Sequence, residues 1–320
     1  MKFSVGIPGI SRFKPAFDPW MAEMKSDDIQ HLCRSLEAMG YGALESPEHL
    51  AVDASLVENM GASWPHSITA IAFYAGATRT ARVNTRVTVL PLHHPVSLAK
   101  QITTLDYLSS GRVTVTFGVG HGEAEFRALG VDHSRRGEVA DEYLDAMRVL
   151  WTEERPSFKG KYVQFDGVAF EPKPIQKPYP PIWIGGNSKA ALRRALKYGV
   201  GWRPWAVNLE DLPQWLDTIA AMPESAGRKA PLEFHLPVKS LQVNEDHTPL
   251  DGKDGRAPEL PATQMLDRIG RMEELGVTWA TLPHSSARSL QEYLDKMQAQ
   301  AEALMDPTMT ATTTKTGNHP

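Results

Sequence analysis

Along the chain, short runs of β-branched and aromatic residues alternate with longer segments whose apolar positions recur every three or four residues. The first pattern marks strands and the second amphipathic helices, so the alternation predicts repeated strand–helix units around a parallel sheet. Residues 82–90 (RVNTRVTVL) form the clearest strand, with apolar side chains at every second position. Further strands are predicted over residues 3–7, 42–46, 112–119, 181–184, 200–205, 232–243 and 277–282. Helices are predicted over 27–39, 66–78, 95–108, 138–151, 188–198, 209–221, 262–275 and 289–304. Ser26 reads as the first helix's N-cap and Gly40 as its stop, while Pro95 opens the helix at 95–108. Eight such units make an α/β chain and predict a (β/α)8 TIM barrel, although a doubly wound open sheet would share much of the alternation. Residues 152–179 hold several prolines and a short strand-like YVQF, and read as an insertion near strands four and five that passes over the barrel mouth.

Length and composition narrow this picture. A chain of 320 residues with 42% hydrophobic content can bury one large core, so a single domain over 1–305 is expected. Residues 306–320 (DPTMTATTTKTGNHP) offer little to bury and are expected to be a disordered tail. A net charge of -4 without a Lys/Arg block argues against nucleic acid and membrane surfaces as partners. The N-terminal MKFSVGIPG is too short and too broken by Gly and Pro for a signal peptide, and nowhere do about 18 apolar residues run together, so a cytoplasmic location is expected. The single cysteine, Cys33, shares a helical apolar stripe with Ile29, Leu32 and Leu36 and reads as core.

Candidate chemistry gathers at the C-terminal ends of the strands, where a barrel carries its site. GVGHGE (Gly118 to Glu123) follows strand four, and GGNS (Gly185, Gly186, Asn187, Ser188) follows strand five. Glycine lets backbone approach a ligand, and free amides at a helix start favour an anion, so GGNS is a candidate phosphate cradle. The plain alternative for both is a tight turn. GVGHGE lacks the third glycine of a dinucleotide fingerprint. After strand two, SPEHL places Glu48 and His49 on the same face, where an imidazole beside an acid can move a proton near neutral pH. A capping pair is the competing reading. His93, His94 and His121 follow strands three and four, which raises a metal hydrolase as a rival; strand one, however, ends in GIPG and begins no ligand set. Trp183, Trp202 and Trp205 read as core or as pocket wall. Arg135, Arg136, Asp141 and Glu142 have the helical spacing of surface ion pairs.

Several stretches together resemble the luciferase-like family of flavin and deazaflavin oxidoreductases. They are GYGALESPEHL, LPLHHPVSLAKQITTLDYLSSGRVTVTFGVG, EFRALG, RRGEVADEYLDAMRVLW and EPKPIQKPYPPIWIGGNSKAALRRALKYGVGW, in the family's order over residues 40–205; the C-terminal third matches only in pattern. The resemblance implies a barrel whose cofactor ring lies over strands two to four, with its tail toward the turn after strand five. It makes His49 the acid or base beside the ring, Glu48 its neighbour, and Val89 and Leu90 the strand-three segment backing the ring. Gly120, His121, Gly122 and Glu123 would contact the cofactor, and Gly185, Gly186, Asn187 and Ser188 would hold its tail. The stretch from LPLHHP to GGNS is most similar to the branch that uses the deazaflavin coenzyme F420. Two departures bear on the pocket: Glu45 and His121 stand where many relatives carry Trp.

These readings lead to the expectation of an F420-dependent hydride transfer with a small organic substrate, His49 handling the proton. The alternatives are an FMN-dependent monooxygenase, supplied with reduced flavin by a separate reductase and using oxygen, and a flavin-binding protein without turnover. A homodimer is the expected assembly.

Overall fold

In the computed structural model, alternate side chains of β1 (Lys2–Gly6) take opposite paths. Phe3 and Val5 join the hydrophobic core, whereas Ser4 turns to the barrel axis and hydrogen-bonds His235. The structure describes residues 1–305 apart from positions 206, 229, 242, 245, 246 and 251–254; the expected tail lies outside the described residues. Helix α1 (Ser26–Ala38) brings Leu32, Cys33 and Leu36 onto the strands. Ser26 is the first helical residue and not the cap: Lys25 holds that position, and its amide donates to Asp28. Burial pushes the Cys33 thiol up to about 12, as expected of a core residue.

β2 (Ala43–Ser46), the short α2 (Val57–Met60) and α3 (Ser67–Ala77) follow. Strand three, expected unbroken over 82–90, is two pieces, β3 (Arg82–Thr85) and β4 (Thr88–Val89), before a 3-10 turn at Leu90–Leu92. Then come α4 (Pro95–Leu108), β5 (Val113–Gly118), α5 (Glu123–Ala128), α6 (Arg136–Thr152), the hairpin β6 (Phe158–Lys159) and β7 (Gln164–Phe165), β8 (Ile182–Gly185) and α7 (Lys189–Tyr198). The chain closes with β9 (Gly201–Arg203), α8 (Leu212–Ala220), β10 (Glu233–Pro237), α9 (Ala262–Glu274), β11 (Trp279–Thr281) and α10 (Leu290–Met305). β10 stops well short of the expected 243, at Pro237.

All barrel pairings are parallel. The order β3-β2-β1-β11-β10-β9-β8-β5-β4, closed by β3–β5, makes eight staves once β3 and β4 count as one. This closure excludes the open sheet. Helices cover the outside through Leu36, Ile71, Leu98, Ile102, Met147, Leu150 and Leu192, all buried.

The insertion between strands four and five lies on the flank of the barrel, away from the mouth. Glu142 of α6 accepts the amides of Lys161, Tyr162 and Val163, and Gln176 donates to the carbonyl of Val113, at the start of β5. The reason is geometric: α6 runs antiparallel to the strands, so its end and the beginning of β8 share the N-terminal face, and the connection has no cause to climb. A cavity of about 170 Å³ on that same face is lined by Lys2, Arg82, Trp183, Glu233 and Trp279. Among the described residues no helix is long and apolar enough to cross a membrane.

Candidate active site

Three inward positions at the C-terminal ends of strands carry no side chain: Gly6, Gly118 and Gly185. The interrupted strand three fills the space they leave. A Cβ on Gly118 or Gly185 would stand 2.7 or 3.0 Å from the Val87 methyls, and one on Gly6 would stand 3.1 Å from the Arg86 guanidinium. Arg86 and Val87, joined by a cis peptide, therefore floor the mouth, with both side chains half-buried. Val89 and Leu90, the segment expected to back the ring, are buried, Leu90 in the main core and Val89 against Leu92 and Phe126. Gly120 has φ +74°, and a Cβ there would lie 2.6 Å from Val89 and 2.8 Å from Phe126. Gly120→Ala is expected to cost about 1–3 kcal/mol, read as a lower urea midpoint; an unchanged midpoint would show that this turn is not constrained.

Glu48 and His49 leave β2 side by side and do different work. Glu48 is buried and saturated: it accepts Ser67 N (3.0 Å) and Oγ (2.7 Å), Val89 N (3.0 Å) and His93 Nε2 (2.8 Å). Burial opposes its charge, but His93 and these donors hold its carboxyl below the usual range. It thus staples α3 and strand three beside the floor. Glu48, His66 and His93 also have the spacing of a metal set, but the existing donors already occupy both carboxylate oxygens.

His49 is held by a residue the sequence reading passed over. Glu125 of α5, almost fully buried, lies 3.2 Å from His49 Nδ1 and also accepts the amides of Leu50 (2.5 Å) and Ala51 (3.2 Å). No described residue hydrogen-bonds Nε2, so the ring has one oriented nitrogen and one free for exchange. The neighbouring Glu123, named from the motif, is exposed and faces His133 at 3.7 Å. Trp64 packs edge-on to His49 at 4.7 Å; His121 lies 6.1 Å from it and stacks on His247 at 5.4 Å. His94 is exposed. Trp205 stands at the mouth, 39% exposed, whereas Trp202 and Trp183 are buried.

Below the floor, Glu45 forms a bidentate pair with Arg203 (Nη2–Oε2 2.8 Å, with a shorter Nη1–Oε1 contact) and accepts Asn84 Nδ2 at 3.1 Å. Burial raises its pKa, but the paired Arg203 overcomes this and holds the carboxyl at about 2. Burial, reinforced by Arg203, keeps His235 neutral, well below the usual histidine range. Glu45 is thus a paired strut and not a free acid in the pocket.

Across the mouth, the GGNS turn is braced by its own side chains. Asn187 Oδ1 accepts Trp205 N at 2.8 Å and its Nδ2 donates to Trp205 O; Ser188 Oγ accepts Ala191 N at 3.1 Å and caps α7. Gly186 has φ +107° and its carbonyl accepts Trp202 Nε1 at 2.8 Å. What the turn offers a ligand is backbone at a helix start.

Residues 13–248 match the family described as luciferase-like monooxygenase. The chain belongs to that family. An uncharacterized protein of Mycobacterium tuberculosis is 30% identical to this luciferase-like chain over 284 residues, 83% of this chain and 91% of that one. The FMNH2-dependent dimethylsulfone monooxygenase of Pseudomonas putida is 30% identical over 155 residues, 48% of this chain and 43% of that one. Two solved structures share the fold: a monooxygenase from Streptomyces bottropensis (TM-score 0.75, 22% identity, 95% of this chain, 99% of that chain) and an F420-dependent secondary alcohol dehydrogenase (TM-score 0.71, 18% identity, 96% of this chain, 100% of that chain). The protein is a luciferase-like oxidoreductase on a TIM barrel.

Proposed function

We propose that this luciferase-like protein binds the deazaflavin coenzyme F420 over the Arg86–Val87 floor and exchanges a hydride with a small organic substrate. The observation that carries this reading is the oriented His49–Glu125 pair beside a floor whose neighbours, Gly6, Gly118 and Gly185, have no side chains. A flat ring fits such a floor, and an anionic tail fits the start of α7 at Gly186 and Asn187. The coenzyme, when bound, supplies the redox chemistry. Glu125 orients His49, His49 Nε2 gives or takes the substrate proton, and Trp64 shields the imidazole from water. The resemblance of residues 90–188 to the F420-using branch favours deazaflavin.

A second reading is an FMN-dependent monooxygenase, fed with reduced FMN by a separate reductase and using oxygen. Its support is the 30% identity to the Pseudomonas putida enzyme. Titration of the purified protein with F420 and with FMN, followed by fluorescence, separates the two. F420 is expected to bind at micromolar concentration and to support anaerobic turnover. Binding of FMN alone, with oxygen consumed, would move the assignment to the second reading; binding of neither would end both.

A further inference from the structure

We propose that the substrate carries a carboxylate and that Arg86 receives it at the strand-one edge of the floor. This rests on the coenzyme-binding reading above and adds the substrate class.

The guanidinium lies flat against Gly6 of β1: a Cβ there would come within 3.1 to 3.3 Å of Nη2, Cζ and Nη1. Among the described residues no acceptor hydrogen-bonds it, and none of its nitrogens is sealed from solvent as an orphaned buried atom. The nearest anion, Glu45, attracts Arg86 but is already engaged through both oxygens by Arg203, with Asn84 on one of them. Asp18, at the same end of the barrel, is committed to Arg256 (2.8 Å) and His284 (3.0 Å). His235 is neutral. Two cations, Arg86 and Arg203, therefore share one carboxylate, and the excess charge faces the mouth.

A half-buried guanidinium that no protein acceptor engages is open to a ligand that completes it. Its planar fork matches a carboxylate. The coenzyme's own anionic tail does not meet this need. In the order β1, β2, β3, β5, β8, the GGNS turn lies four staves from β1 in either direction, on the far side of the mouth. A single unengaged guanidinium beside Val87 can take one carboxylate through its fork.

The test is calorimetry of the full chain with acetate, hexanoate and benzoate and with their primary amides, on wild type and Arg86→Met. At least one acid is expected to bind roughly tenfold or more tightly than its amide, the range of a charge-assisted hydrogen bond. Arg86→Met is expected to lose that preference. Should Arg86→Met not fold, Arg86→Lys keeps the charge, loses the fork, and is expected to weaken the preference. Acids and amides binding alike, no member of the panel binding, or a preference surviving in Arg86→Met would overturn the proposal. Failure of both coenzymes on wild type is a separate readout and overturns the underlying reading.

Discussion

Replacing His49 with Ala is expected to lower kcat by roughly a hundredfold or more while leaving coenzyme affinity close to wild type. The imidazole stands at the rim of the floor, not in it, so its loss removes proton transfer without removing the surface on which the ring rests. Its orientation depends on Glu125, which fixes Nδ1 at 3.2 Å and the following backbone through Leu50 and Ala51. Glu125→Gln keeps the shape but weakens the charge that stabilises a protonated ring. It should therefore lower kcat while leaving coenzyme affinity close to wild type, a split that a merely structural residue would not give. Steady-state kinetics together with coenzyme titration reads both variants. Unchanged turnover in His49→Ala with coenzyme bound would remove the residue from the chemistry.

Glu45→Gln is expected to destabilise the fold by about 3–5 kcal/mol at neutral pH, because it leaves Arg203 buried without its counter-ion. The same pair makes wild-type stability sensitive to acid. The Glu45 carboxyl falls from an ordinary 4.5 to about 2 in the folded chain. A depressed acid contributes stability that is complete above 4.5 and is lost as pH falls toward 2, on the order of 3 kcal/mol. Neutral, buried His235 adds loss of the same sign below its ordinary 6.5. Urea unfolding at pH 7 and at successively lower pH checks this. Wild type should weaken with acid, whereas Glu45→Gln should start lower and show a flatter slope between about 4.5 and 2. Equal stability and equal slope would show that the pair is not a strut.

The barrel was legible in the sequence because helix and strand periods alternate cleanly; the runs at 3–7, 112–119 and 277–282 all fall on staves. The break in strand three was not, since RVNTRVTVL keeps its alternation through Arg86 and Val87. What interrupts it is the space left by Gly6, Gly118 and Gly185, a relation between distant strands that no local pattern carries. Glu125 was hidden for a related reason: in HGEAEF the glycine turn draws attention to Glu123, while the fold turns the second acid inward. The polar staves, Ser4, Glu45, Asn84, Arg203 and His235, break the rule that barrel interiors are branched and apolar, and become intelligible only as one hydrogen-bonded network. The insertion was misplaced because composition marks a loop without telling which end of the barrel it covers.

A diffraction map of the protein grown with its coenzyme bears most directly on the floor. The aromatic system should lie against Val87 within reach of His49, its phosphate-bearing end at Gly186 and Asn187. Density for that ring anywhere else on the molecule would contradict the account.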